Sequence, residues 1–129
     1  MSAIRYRRLA IAYCLLIIFV SSIPGRTLHF RLLNWDKMFH LAEYSILGWL
    51  LIRSLEQRTL PGVTGVILMG CCFGMLDELW QHFVSGRSGQ FYDWMADSAG
   101  VLVGSAVVLL PERFLKMNKA IEQVEDKHG

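Results

Sequence analysis

Apolar residues arrive along the chain in four runs, each closed by a short polar or glycine-bearing stretch. The first is Leu9–Ile23, "LAIAYCLLIIFVSSI", and the second is centred on "MFHLAEYSILGWLLI" within about 36–52. The third covers Pro61–Val84 and the fourth Phe91–Leu110. A membrane-crossing helix needs roughly 20 mostly apolar residues. The third and fourth runs reach that length, and the first two gain a turn from their aromatic and basic flanks. The pattern therefore predicts an all-α membrane protein, a four-transmembrane-helix up-and-down bundle over residues 1–111, with a tail over 112–129. A rival reading of the start, "MSAIRYRRLAIAYCLLIIFVSSIPG", is a cleaved signal peptide. No A-x-A-like site follows its apolar stretch, so a retained first helix is expected.

The connections fit such a bundle. "RSLEQRTLPG" reads as a short polar turn in which Pro61 and Gly62 mark the start of the third helix. "SGRSGQ" reads as a tight turn built on Gly86 and Gly89. "PGRTLHFRLLNWD" mixes basic and aromatic residues as a segment lying in the membrane interface would. Ala96, Gly100 and Gly104 recur at every fourth position, as do Gly70 and Gly74. That spacing lets helix backbones approach closely in lipid. The tail "PERFLKMNKAIEQVEDKHG" reads as an amphipathic or frayed cytoplasmic helix.

Composition supports this class. Of 129 residues, 53% are hydrophobic and the mean hydropathy is +0.37, high for a soluble domain that small. A net charge of +2, with no basic patch interleaved with aromatics, predicts no nucleic-acid partner. Cys14, Cys71 and Cys72 all fall inside apolar runs, an odd number that predicts neither a disulfide framework nor a metal site. Lys and Arg divide unevenly between the two sets of alternating loops. Nine (Arg5, Arg7, Arg8, Arg53, Arg58, Arg113, Lys116, Lys119 and Lys127) share one side, and four (Arg26, Arg31, Lys37 and Arg87) share the other. Positive residues accumulate on the cytoplasmic side, which predicts both termini inside (N-in, C-in).

Ionisable residues break the apolar pattern at one end only. Asp36, Lys37, His40, Glu43 and Tyr44 open the second helix, Asp77, Glu78, Gln81 and His82 close the third, and Asp93 and Asp97 open the fourth. Arg87 lies in the turn between the last two. Antiparallel neighbours put all three ends on the outer side, while "SILGWLLI", "GVTGVILMGCC" and "AGVLVGSAVVLL" hold no ionisable group. Residues four apart share a helix face: His40 with Tyr44, Asp77 with Gln81, Glu78 with His82, and Asp93 with Asp97. A charge at the bilayer centre costs about 2.5–3.5 kcal/mol on insertion scales, so groups placed this way should face one another. The stripes predict a polar, water-accessible pocket between helices two, three and four, opening outward. The alternative is a salt-bridged rim with Trp35, Trp80, Phe83, Tyr92 and Trp94 as an interfacial belt.

Such a pocket has the makings of acid/base chemistry. Of two neighbouring carboxyls in a low dielectric, one tends to keep its proton, giving an acid beside a base, with a histidine as proton carrier. Glu78 is the expected general acid or base, Asp77 tunes it, His40 shuttles a proton, and Asp93 with Gln81 orients the reacting group. Arg87, with Lys37 nearby, suits a phosphate or pyrophosphate. Tyr44, Asp97 and His82 complete the expected binding residues. Glu78, Asp93 and Asp97 have the donor type for a hard cation, but their spacing specifies none. There is no Ser-His-Asp pattern, phosphate loop or H-E-x-x-H.

The stretches "DKMFHLAEYSILGWLL" and "DELWQHFVSGRSGQFYDWMADSAGVLVG" together resemble the VanZ-like family of bacterial membrane proteins. The shared pattern is a Lys-x-x-His-x-x-x-Tyr stretch, then Asp-Glu-x-x-Gln, an Arg, an Asp with a polar residue four on, and spaced glycines. It falls on Lys37, His40, Tyr44, Asp77, Glu78, Gln81, Arg87, Asp93, Gly100 and Gly104, within about 36–105. Asp97 departs from it, since the family usually has Asn there. The resemblance implies a multi-pass protein of the bacterial inner membrane, at work on the cell envelope and linked to teicoplanin resistance. It names no reaction and no cofactor. Two functions stay open. One is an outward-facing site that binds and modifies a lipid-linked or phosphate-bearing envelope component. The other is a non-catalytic protein that sequesters a glycopeptide antibiotic or an envelope lipid. A proton or cation pathway would need polar groups through the full membrane thickness, and the apolar halves argue against it.

Overall fold

The computed structural model describes residues 1–24, 35–87 and 89–125, and these form four α-helices with no strand among them. They are α1 (Ala3–Ser21), α2 (Trp35–Arg53), α3 (Leu60–Gln81) and α4 (Phe91–Glu125). Each of the four apolar runs is thus a helix. Segment 25–34, which carries most of the expected interfacial stretch, lies outside the described residues.

Local chemistry accounts for the boundaries. Thr59 caps α3: its side-chain oxygen accepts from the Gly62 backbone N–H at 3.3 Å, and Pro61 sits in the first turn, where no intrahelical donor is needed. The third helix ends at Gln81, short of the expected Val84, and the chain turns through Gly86, whose φ of 78° favours glycine. At the other end of the sequence, α4 does not stop near Leu110. It runs through Pro111 to Glu125, so the segment set apart as a tail is continuous with the fourth helix as far as it is described. Arg58 from the α2–α3 turn forms an ion pair with Glu112, joining that turn to α4 one residue past the proline.

Among the described residues, two helices are long and apolar enough to cross a membrane, Leu60–Gln81 and Phe91–Leu115. By the same measure α1 and α2 carry more charge, with Arg5, Arg7 and Arg8 in the first and Asp36, Lys37, Glu43 and Arg53 in the second. The burial pattern is that of a chain whose solvent is partly lipid. Among the described residues nine buried positions are apolar and nine are polar or charged, while Leu15, Phe19, Leu68, Phe83, Val107 and many other large apolar side chains point outward. A water-soluble domain of this size rarely shows so much apolar surface.

The most extensive helix contact is between α2 and α4, and glycine makes it. A Cβ on Gly104 would fall inside the Ser45 carbonyl oxygen, and one on Gly48 inside the Val101 carbonyl oxygen. The two backbones therefore pass each other with almost nothing between them, as small residues permit in membrane bundles. Ile17, Tyr44, Leu47, Leu51 and Val101 fill the core around this crossing. On the flank, Arg53 lies over the rings of Tyr6 and Trp49 and so holds the start of α1 against the end of α2.

Candidate functional site

The close α2–α4 crossing fixes where the polar side chains meet. It brings the start of α2 against the start of α4, and the end of α3 joins them there. His40 Nδ1 lies 2.8 Å from Asp97 Oδ1 and 3.7 Å from Glu78 Oε1. Gln81, one turn beyond Asp77, donates from Nε2 to Asp77 Oδ2 at 3.2 Å and to Glu78 Oε1 at 3.3 Å. Glu78 Oε2 accepts the Gln90 backbone N–H at 2.8 Å, which ties the turn after α3 back onto the carboxylate. Asp97 and Tyr44 are 0% exposed, Asp77 1% and Asp93 4%. Residues from three helices thus form one buried polar cluster.

The remaining expected residues surround it. Lys37, its side chain 45% exposed, lies 3.6 Å from Asp93 Oδ1 at the rim and 5.9 Å from the centre of the Tyr92 ring. Arg87 faces inward, but three of its donors are committed within the protein. Nε donates to the Ile23 carbonyl, Nη2 to the Val20 carbonyl, and Nη1 to Gln81 Oε1 at 3.3 Å. His82 is not drawn into the cluster; it is exposed, with Nδ1 3.2 Å from the Glu78 carbonyl oxygen. Tyr44 is fully buried beneath the cluster, with its ring beside Phe73, and its hydroxyl has no hydrogen-bond partner.

The first helix belongs to this site, contrary to the expectation of a pocket shared by α2, α3 and α4 alone. Ser21 donates to Asp77 Oδ2 at 2.9 Å, Trp80 donates to Ser22 Oγ at 3.0 Å, and the end of α1 supplies the two carbonyls that hold Arg87. The sequence carried a signal for this in "SSI", two hydroxyls at the outer end of the first run. Seryl groups are so common at helix ends that the signal does not stand out.

Openness also differs from the expectation. Among the described residues the polar groups pack on one another and do not line a wide pocket. A largely apolar cavity of about 220 Å³ lies beside them between α3, α4 and their turn, where Met75, Leu79, Phe91 and Trp94 flank Glu78 and His82. Glu78 is thus the member of the cluster that touches both the buried network and this cavity.

The arrangement is suited to proton transfer. An imidazole hydrogen-bonded to one carboxylate and adjacent to a second can pass a proton between them without large motion. It is also rich in acceptors. Asp77 Oδ1, Asp93 Oδ1 and Asp97 Oδ2 are buried without a hydrogen bond, an uncommon state for carboxylate oxygens in a folded protein.

Two long apolar helices, with ionisable groups enclosed at one end of the bundle, suggest a helical membrane protein. The chain belongs to the VanZ/LLP1 family, whose sequence model matches residues 6–112. That span contains every residue of the cluster. No curated protein matches the chain, and no solved structure does.

Proposed function

We propose that the chain is a multi-pass protein of the bacterial cytoplasmic membrane, with four crossing helices and both termini inside. Its polar cluster faces the outer side. There it binds the headgroup of a lipid-linked or phosphate-bearing envelope component and acts on it by proton transfer. The observation that carries this reading is Glu78, joined to the His40–Asp97 pair on one side and lining the largely apolar cavity on the other. In this scheme Glu78 is the general acid or base, and His40 relays its proton. Asp77, Gln81 and Asp97 hold these two groups in place. Asp93 orients the bound group, and Lys37 at the rim meets its negative charge. Arg87 retains donors beyond the three it uses internally and adds positive charge behind Gln81. The family's association with teicoplanin resistance makes a precursor of the cell wall the leading substrate class.

The test compares cells that lack the gene with cells that carry the wild type, Glu78→Gln or His40→Ala at equal membrane levels. Lipid-linked intermediates are measured by mass spectrometry and teicoplanin susceptibility by growth. The proposal expects one intermediate to change with the wild type and to revert with either variant. Unchanged pools and susceptibility in both variants would sink it.

A second reading, a binding protein that sequesters an antibiotic or an envelope lipid without altering it, draws on the commitment of Arg87 to internal partners. It expects Glu78→Asp to keep the phenotype, whereas an acid/base role expects that shortened side chain to lose most of it.

A further inference from the structure

The donors left open in the cluster are not arranged at random. A ring nitrogen of His40, a carboxylate oxygen of Glu78 and one of Asp93 all lie within 4.8 Å of one another, and all three residues are buried. They come from three different helices, so no spacing in the sequence announces them. Ligands around a zinc ion sit at about 2.0–2.2 Å from the metal, which places them roughly 3.4 Å apart in a tetrahedral set. His40 Nδ1 and Glu78 Oε1 are already at 3.7 Å. Asp97 Oδ1, at 2.8 Å from the same nitrogen, is its hydrogen-bond partner and stands beside the group of three.

An independent observation points the same way. Asp93 Oδ1 is buried and accepts no hydrogen bond, its neighbouring charge being the Lys37 ammonium at 3.6 Å. Electrostatics adds a reason. Asp77, Glu78, Asp93 and Asp97 are four buried carboxyls, and the basic groups beside them are His40, Arg87 and a half-exposed Lys37. Uncompensated buried charge is strongly unfavourable, and a bound cation would offset negative charge gathered there.

We infer that His40, Glu78 and Asp93 form a binding site for a divalent first-row transition ion such as Zn²⁺. The imidazole sets the preference. Mg²⁺ and Ca²⁺ take oxygen ligands, whereas a nitrogen among carboxylates suits Zn²⁺ or Mn²⁺. Binding replaces the proton that His40 Nδ1 shares with Asp97, and that proton is released to solvent. The inference rests on the same residues as the proposed function but on no substrate. Metal binding without any effect on envelope intermediates would leave this site standing and remove the other reading.

The experiment uses the full chain purified in detergent or lipid nanodiscs with a tag that has no histidines. Metal content is measured by mass spectrometry after equilibration with Zn²⁺ and removal of excess ion. About one ion per chain is expected, with affinity falling at least about tenfold in Glu78→Gln, Asp93→Asn and His40→Ala. Replacing the three cysteines by Ser should leave binding unchanged. Co²⁺ added to the wild-type protein provides a check that does not depend on any variant folding. It should give visible d–d bands without a thiolate charge-transfer band. Absence of Zn²⁺ and Co²⁺ binding by the wild type overturns the inference. So does binding that follows the cysteines, or binding that persists in all three ligand variants.

Discussion

Asp97 shows how much a single side chain here depends on its partner. It is fully buried, and of its two oxygens Oδ1 meets His40 while Oδ2 has no hydrogen bond. Removing one partner of a buried charged pair typically costs about 3–5 kcal/mol. His40→Ala should therefore lower thermal stability clearly, as read by detergent-phase unfolding. Asp97→Asn keeps an acceptor for His40 Nδ1–H. It should fold with a stability within about 1.5 kcal/mol of the wild type. Ser21 gives a milder case. Its hydroxyl donates to Asp77, so Ser21→Ala should destabilise by about 1.5–3 kcal/mol, the range for hydrogen bonds to charged groups. A neutral result would show that Gln81 alone satisfies that oxygen. Lys37, His40, Asp77 and Glu78 were legible as site residues because charge in an apolar run is conspicuous. Ser21 and the carbonyls that hold Arg87 were not, since nothing in their type sets them apart.

At the scale of the helix, the α2–α4 crossing is the feature on which the site depends. Gly104 meets the Ser45 carbonyl so closely that any side chain must push the helices apart. Gly104→Val should cost about 1–3 kcal/mol or more, the usual range for overpacking. It should also weaken site function, because His40 and Asp97 ride on the two helices it separates. A variant with unchanged unfolding temperature would mean that the crossing is looser than described. The spacing of Ala96, Gly100 and Gly104 made this face visible in the sequence. Its counterpart, Gly48, stands alone in "SILGWLL" and carried no periodic signal. Pro111 lies inside α4, which continues through it from the apolar run into the segment set apart as a tail.

At the scale of the whole molecule, topology is the open dimension, and it can be read in intact cells. With the three native cysteines replaced by Ser, Ser85→Cys in the α3–α4 turn should react with a membrane-impermeant maleimide added outside. Gln57→Cys in the α2–α3 turn should react only after lysis. Both positions are exposed. The opposite pattern would invert the bundle and turn the polar cluster toward the cytoplasm. The excess of Lys and Arg on one set of loops supports the stated orientation.

The sequence by itself determined the four helices, their all-α membrane character and the gathering of polar residues at one end. Those properties depend on local composition and on alternation of direction, both of which are written along the chain. Only the tertiary structure decided which polar groups touch. His40 meets Asp97 and not Tyr44, Glu78 rather than Asp77 faces the cavity, Arg87 is tied to α1, and His82 stays outside. The physical reason is that helix rotation and crossing distance are set by small-residue contacts between helices far apart in sequence. A rotation of one residue, about 100°, would send each of these side chains to a different neighbour.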